Sequence, residues 1–297
     1  RPVNYHLTAL KKLGMKYELK DGYILAKTKG KLNGTTINFP KISVGATENS
    51  IIAASLAKGK TILKNCAIEP EIKDLINFLR KMGCNIKWTG KRTLTIIGTK
   101  KLKALNYKVM FDRIEAGTYM IASALTQGDL KIINIETKTL KTEIDILKKV
   151  GSIIKVKKTE IRILGSQKLK NIKISTDPYP GFPTDLQAQL MVLMSQANGF
   201  SKINENIFEN RYMHVPELKR MGAKIEIKNK KAYIYGPSKL TGAEVMATDL
   251  RASVSLVLAG MIADNRTLIN RIYHLDRGYE KIEKKLRNLG AKIKRVS

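Results

Sequence analysis

The chain has 297 residues, 43% of them hydrophobic, and 55 Lys and Arg against 25 Asp and Glu give a formal net charge of +30. Such a length suits two globular, soluble domains, each with its own core, while the most apolar run, RASVSLVLAGMIA, is shorter than the roughly 20 residues of a membrane-spanning helix and carries an arginine. Two distant cysteines, Cys66 and Cys84, offer neither a disulfide framework nor metal-ligand spacing, as expected of a protein of the reducing cytoplasm without a metal or other cofactor.

The basic residues are 42 Lys and 13 Arg, scattered along the chain and not gathered into a stripe. A nucleic-acid surface would gather them, so no nucleic-acid partner is expected. The abundance of Lys, Ile and Asn is what an AT-rich coding sequence produces, and the charge would draw in any small polyanionic substrate.

The first predicted element is an amphipathic helix in RPVNYHLTAL, ending at Gly14. It opens a series of five Leu-x-x-(Leu/Met/Val)-Gly signatures, Leu10 to Gly14, Leu79 to Gly83, Leu147 to Gly151, Leu218 to Gly222 and Leu286 to Gly290. Their glycines lie 69, 68, 71 and 68 residues apart, the mark of an internal repeat. Each glycine follows a helical pattern such as EIKDLINFLRKMG, where a left-handed conformation stops the helix at little cost. Beyond it comes an extended pattern such as KIEIK and KAYIYG about Asn229, a hairpin with one wet face.

Between these units lie SIIAASLAKGKTILKN, GTYMIASALTQGDLKIIN, LQAQLMVLMSQANGFSKIN and RASVSLVLAGMIADNRTLIN, closed by Asn65, Asn134, Asn204 and Asn270. The first half of each is apolar almost all round and reads as a helix buried on every side. Half-wet sheets around wholly buried helices imply an inverted α/β packing, with two helices and about four strands per repeat. Five glycine signatures against four buried-helix segments predict an incomplete first repeat, as in a chain truncated at its N-terminal side.

Motifs that could carry chemistry are RPVNYH at Arg1, KISVGATEN at Lys41, PGFPTDLQAQ at Pro180, FENRYMHVPELKRMGA, GAEVMATDLRAS and RIYHLDRGYEKIEKKLRNLGA. Through them the whole chain resembles the enolpyruvyl transferases that act on UDP-N-acetylglucosamine, the UDP-N-acetylglucosamine 1-carboxyvinyltransferases, more than the related 5-enolpyruvylshikimate 3-phosphate synthases. The resemblance implies an inside-out α/β barrel fold of two domains built from repeated helix and strand units. Residues 1–111 would be the remnant of the first domain and residues 112–297 most of the second.

It also implies the first committed step of peptidoglycan synthesis, with phosphoenolpyruvate and UDP-N-acetylglucosamine as small-molecule partners. The enolpyruvyl group passes to the sugar 3-hydroxyl and phosphate leaves, by addition and elimination. That chemistry needs a base for the hydroxyl, an acid for the methylene carbon, and cations for a carboxylate and a phosphate.

Residue by residue, the resemblance makes Asp185 the general base and Asp249 a second catalytic acid of the cleft, although position alone suits both as helix N-caps. Arg1, Arg211, Arg251 and Arg277 match positions that contact phosphate and carboxylate, where a planar guanidinium can donate two parallel bonds. Arg1, Pro2, Val3, Asn4 and Tyr5, then Lys41, Ile42, Ser43 and Val44, with Asp185 and Ile207, match the UDP-sugar segments, Asn4 standing where the family often has Asp. His6, His214 and His274 are assigned structural roles, and Cys66 and Cys84 packing roles. The loop cysteine that serves the family as acid matches a position before Arg1, so the chain as given is expected to be nearly inactive. The alternative is a paralogue that binds a UDP-sugar without chemistry.

Overall fold

Glycine sets the punctuation of this fold. In the computed structural model, which describes residues 3–296, Gly14, Gly83, Gly151, Gly222 and Gly290 have φ of +105°, +99°, +119°, +101° and +101°. Each follows a helix by one or two residues and turns the chain where an L side chain would be strained. The repeat read from the sequence is therefore a repeat of helix ends.

Two compact units result, Arg1–Met110 and Phe111–Ser297. The first contains α1 (Asn4–Lys12), β1 (Lys16–Lys20), β2 (Tyr23–Lys27), β3 (Thr36–Asn38), α2 (Val44–Ser55), β4 (Lys60–Lys64), α3 (Pro70–Lys81), β5 (Asn85–Gly90) and β6 (Thr93–Ile97). The second contains α4 (Arg113–Leu125), β7 (Asp129–Ile133), α5 (Lys141–Val150), β8 (Ile153–Val156), β9 (Glu160–Leu164), β10 (Lys173–Thr176), α6 (Gln187–Ser195) and β11 (Gly199–Glu205). It continues with α7 (Val215–Arg220), β12 (Lys224–Lys228), β13 (Lys231–Gly236), β14 (Glu244–Met246), α8 (Leu250–Ile262), β15 (Leu268–Asn270) and α9 (Ile282–Asn288).

The complete repeat is β-α-β-α-β-β. Its sheet runs β3-β4-β6-β5 in the first unit and β10-β11-β13-β12 in the second, with the outer pair parallel and the rest antiparallel. A parallel pair needs a crossover, which α2, α6 and α8 supply between β3 and β4, β10 and β11, and β14 and β15. The sheet β7-β9-β8 has three strands, all antiparallel.

Three of the closing asparagines tie such pairs together. Asn65 donates to the Phe39 carbonyl at 2.8 Å, Asn204 to Ser175 Oγ at 3.3 Å and Asn270 to Glu244 Oε1 at 2.8 Å. Asn65 and Asn134 also take positive φ, which asparagine tolerates better than most residues.

Helices occupy the interior of the second unit and sheets its outside, the inside-out α/β arrangement. All nine residues of α6 are buried, and α4 and α8 pack against it and against each other. The first unit departs from the expectation of a helix buried on every side. There, among the described residues, α2 packs chiefly on the helices α1 and α3, and Ile52 and Leu56, its C-cap, are 53% and 43% exposed. A helix is wrapped only when other helices close around it, which its own apolar sequence cannot guarantee.

A second glycine series joins sheet to helix. A Cβ at Gly98 would sit 1.7 Å from the Ala57 carbonyl oxygen, at Gly165 2.6 Å from that of Ser123, and at Gly236 2.3 Å from that of Ala197. In these three repeats a strand thus ends against the C-terminal end of the preceding inner helix, α2, α4 or α6, with no room for a side chain. Both cysteines are buried free thiols, Cys84 directly after Gly83 as the repeat pattern implied. Burial pushes the Cys66 thiol up to about 12 and raises that of Cys84, so neither supplies a thiolate near neutrality.

Candidate functional site

The starts of the four inner helices, α2, α4, α6 and α8, are built alike, with one exception. Ser43 Oγ accepts from Ala46 N at 3.3 Å to cap α2. Asp112 Oδ1 accepts from Ile114 N and Glu115 N at 2.8 and 2.9 Å to cap α4. Asp249 Oδ1 accepts from Arg251 N and Ala252 N at 2.7 and 3.0 Å to cap α8. Each satisfies donors that a helix start leaves orphaned.

Before α6 the chain makes a 3₁₀ turn, Thr184–Leu186, and neither that turn nor α6 has a side-chain cap. Asp185 lies inside the turn, not ahead of it, and the N-cap expectation fails for it while holding for Asp249. Its carboxylate pairs instead with two arginines: Oδ1 accepts from Arg211 Nη2, and Oδ2 lies 3.0 Å from Arg251 Nη2. The turn is pinned from behind, because Leu186 is fully buried against Gly117, where a Cβ would come within 2.5 Å of its Cδ1.

Arg211 and Arg251, both later in the sequence, reach Asp185 from two different elements. Arg211 belongs to the loop after β11, and its guanidinium lies over the Phe208 ring at 5.3 Å. A residue not singled out from the sequence holds that loop. Buried Glu205 accepts from Ile207 N and Phe208 N on Oε1, at 2.9 and 3.1 Å, and from Thr184 Oγ1 on Oε2 at 3.0 Å. One carboxylate thus fastens the Ile207 loop to the turn that carries Asp185. No spacing marks Glu205 in the sequence; its role depends on β11 ending beside that turn.

Arg251 stands in the first turn of α8, directly after its cap. Burial opposes its charge, but Asp185 and the Tyr279 hydroxyl outweigh burial and raise its pKa above the ordinary arginine value. Arg251 Nη1 donates to Tyr279 Oη at 3.4 Å. Gln189, in the first turn of α6, has its amide nitrogen 3.0 Å from the Asp185 carbonyl and 3.1 Å from Thr118 Oγ1, to which its two protons go, with Tyr279 Oη at 3.4 Å.

His214 is buried with no partner for Nε2 among the described residues. Burial drives its pKa down to about 4, with Asp249 pulling it up and Arg211 pushing it down, so the imidazole is neutral at pH 7. A folded-state pKa below the unfolded value near 6.5 means that the unfolded chain takes the proton first as pH falls. His214 therefore costs stability progressively from about pH 6.5 down to about 4, amounting to about 3 kcal/mol. Urea unfolding of wild type and His214→Gln across that range should converge as pH drops; parallel curves would show that His214 does not titrate on unfolding.

The remaining predicted residues separate by unit. Arg277 ends the 3₁₀ turn Ile272–Arg277, two residues before Tyr279; it is exposed and has no ion pair among the described residues. Ile207 is partly exposed on the loop held by Glu205. In the first unit, Val3, Asn4 and Tyr5 start α1, while Lys41, Ile42, Ser43 and Val44 lead into α2. Those two starts adjoin: His6 Nδ1 is 2.6 Å from Asn49 Nδ2, and a Cβ on Gly45 would lie 3.1 Å from His6 Cε1. Arg1 and Pro2 lie outside the described residues. No cluster of metal-ligating side chains occurs among the described residues.

Comparison with known proteins gives this geometry a context. Residues 1–286 match the family described as EPSP synthase (3-phosphoshikimate 1-carboxyvinyltransferase). The chain is 66% identical over 297 residues to the UDP-N-acetylglucosamine 1-carboxyvinyltransferase of Pelagibacter ubique, covering all of itself and 71% of that protein. It is 54% identical over 296 residues to the protein of the same name from Geobacter metallireducens, again 71% of whose length is matched. The enolpyruvyl transferase NikO from Streptomyces tendae superposes with a TM-score of 0.92 at 26% identity, over 99% of this chain and 72% of that one. An EPSP synthase structure from Acinetobacter baumannii shares the fold, with a TM-score of 0.77 at 21% identity over 100% of this chain and 72% of that one.

Proposed function

We infer the reaction from the family: this chain belongs to the EPSP synthase family of enolpyruvyl transferases. It acts as a transferase that moves the enolpyruvyl group of phosphoenolpyruvate to the 3-hydroxyl of UDP-N-acetylglucosamine and releases phosphate, the first committed step of peptidoglycan synthesis. The observation that carries this choice of acceptor is the 66% identity that runs through the whole chain.

Within that reaction we propose Asp185 as the base that takes the hydroxyl proton as oxygen attacks C2 of phosphoenolpyruvate and C3 gains a proton from an acid; loss of a proton from C3 and of phosphate from C2 then restores the double bond. Its side chain is spared from capping and is oriented by two guanidinium groups. Arg211 and Arg251, with Arg277, receive the phosphate and carboxylate. These anions compete with Asp185 for the same guanidinium groups, so substrate binding loosens their hold on the base when it must accept a proton. Asp249 serves as the second acid of the site while its Oδ1 holds the start of α8, and with it Arg251.

The residue starts at Val3 to Tyr5 and Lys41 to Val44 are proposed to contact the UDP-sugar, Ile207 to line its pocket, and Arg1 and Pro2, outside the described residues, to join them. The two units are proposed to be the first and second enolpyruvyl transferase domains. A cytoplasmic location suits the substrates; no helix among the described residues is long and apolar enough to cross a membrane.

The test uses the protein expressed from its complete coding sequence with phosphoenolpyruvate and either UDP-N-acetylglucosamine or shikimate 3-phosphate. Phosphate release together with an enolpyruvyl-bearing UDP-sugar by mass spectrometry is expected with the first acceptor. Turnover with the second acceptor alone, or binding of the UDP-sugar without phosphate release, would overturn the assignment. In the same assay Arg277→Lys should raise KM for phosphoenolpyruvate several-fold, because an ammonium cannot make the bidentate contact; unchanged kinetics would remove Arg277 from the anion site.

A further inference from the structure

Behind the arginine that holds Asp185 lies a buried phenol. Tyr279 is 1% exposed, and its hydroxyl stands where α4, α6 and α8 converge. The segment that carries it packs closely on the start of α8: a Cβ on Gly278 would lie 2.8 Å from Leu250 Cδ2, on the residue just before Arg251.

Counting protons fixes the direction of each bond. Thr118 has one hydroxyl proton, and it goes to the Ile114 carbonyl at 2.9 Å. The 2.8 Å contact between Thr118 Oγ1 and Tyr279 Oη must then be made with the phenolic proton. That leaves the Tyr279 oxygen with its lone pairs, one of which accepts from Arg251 Nη1 at 3.4 Å, while Gln189 Nε2, also 3.4 Å away, has its two protons on the shorter contacts to the Asp185 carbonyl and Thr118 Oγ1. Desolvation first of all raises the Tyr279 pKa, so the group stays a neutral phenol, able to donate to Thr118 and accept from Arg251 at once.

We propose that Tyr279 is a positioning residue for the transferase reaction: its hydroxyl, oriented by Thr118 on α4, anchors the Arg251 guanidinium and through it the Asp185 carboxylate. This rests on the reading of Asp185 and Arg251 as the reacting centre. The ring alone would fill the same space. What the oxygen adds is an acceptor, aimed by Thr118 at the side of the guanidinium that Asp185 does not use. Without it Arg251 Nη1 loses an acceptor at a buried site, and the guanidinium can leave the plane in which it meets Asp185.

The experiment is a double-mutant cycle of Tyr279→Phe and Arg251→Lys in the protein expressed from its complete coding sequence, run with whichever acceptor that protein turns over. Tyr279→Phe alone should lower kcat roughly tenfold, the scale of a lost hydrogen bond to a charged group, with KM for the UDP-sugar and Tm near wild type. In the Arg251→Lys background the same substitution should have little further effect, since its route to the base is already cut. Thr118→Val should reproduce the Tyr279→Phe defect and Thr118→Ser should rescue it.

Multiplicative losses in the cycle, or a Tyr279→Phe defect that appears only as a lower Tm, would overturn the proposal. Phosphoenolpyruvate affinity by calorimetry gives the same cycle a readout independent of turnover. If Asp185→Asn keeps full turnover while the cycle is non-additive, the base assignment falls and the coupling of Tyr279 to Arg251 stands.

Discussion

Asp185→Asn lowers kcat by about 10²- to 10⁴-fold, the range a positioned general base contributes, while UDP-sugar affinity changes little. The substitution keeps the size of the side chain and removes its capacity to take a proton. It also places an amide N–H where one of the two guanidinium groups expects an acceptor, so Arg211 or Arg251 must turn away. The protein should nevertheless fold, because Asp185 is not the cap of α6 and Leu186, beside it, is held by α4. Steady-state phosphate release and calorimetric titration of the UDP-sugar check both halves. Turnover within a few-fold of wild type would sink the base assignment, whereas equal losses of binding and turnover would make Asp185 a binding residue only.

Gly236→Ala has the largest expected effect on stability. The new Cβ would lie 2.3 Å from the Ala197 carbonyl oxygen, 2.9 Å from that of Ser195 and 3.0 Å from that of Met194. All three are backbone atoms at the end of α6, so no side chain can swing away to make room. Relief requires moving β13, which is paired to β11 on one side and β12 on the other, or α6, whose every residue is buried. Overpacking of this kind costs about 3 kcal/mol or more, which for a unit of this size lowers Tm on the order of 10 °C. Thermal and urea unfolding measure it, with loss of activity following loss of the fold. An unchanged Tm would mean that the strand end is not seated against the helix as described. Gly98, with a Cβ only 1.7 Å from the Ala57 carbonyl oxygen, should behave in the same way in the first unit.

What could be read in the residues and what could not divides on range. The helix stops were legible because a left-handed backbone after a helical pattern is a local demand that glycine meets, and all five periodic glycines adopt it. The buried helices of the second unit were legible because an all-apolar surface has few other places to go. The same reasoning failed for α2, since burial on every side also needs neighbours, and those are not part of its own sequence. The glycines at 98, 165 and 236 carried no local sign at all: their φ values are ordinary, and only the approach of another element's backbone excludes a side chain there.

The acids show the division most clearly. Thr184-Asp185-Leu186 and Thr248-Asp249-Leu250 are alike as sequence, and both read as helix starts. Three-dimensional structure separates them by one 3₁₀ turn, which leaves Asp249 on backbone N–H groups and sends the Asp185 carboxylate to Arg211 and Arg251. Glu205 and Tyr279, which hold the loop and the arginine in place, come from parts of the chain far from Asp185 in sequence. By itself the sequence determined the family, the repeat and the ends of the helices, because backbone preference and apolar periodicity act over a few residues. Which carboxylate meets two guanidinium groups, and which buried oxygen meets Arg251 from its other side, was decided only by tertiary structure, because those bonds join side chains that meet only after the repeats have packed.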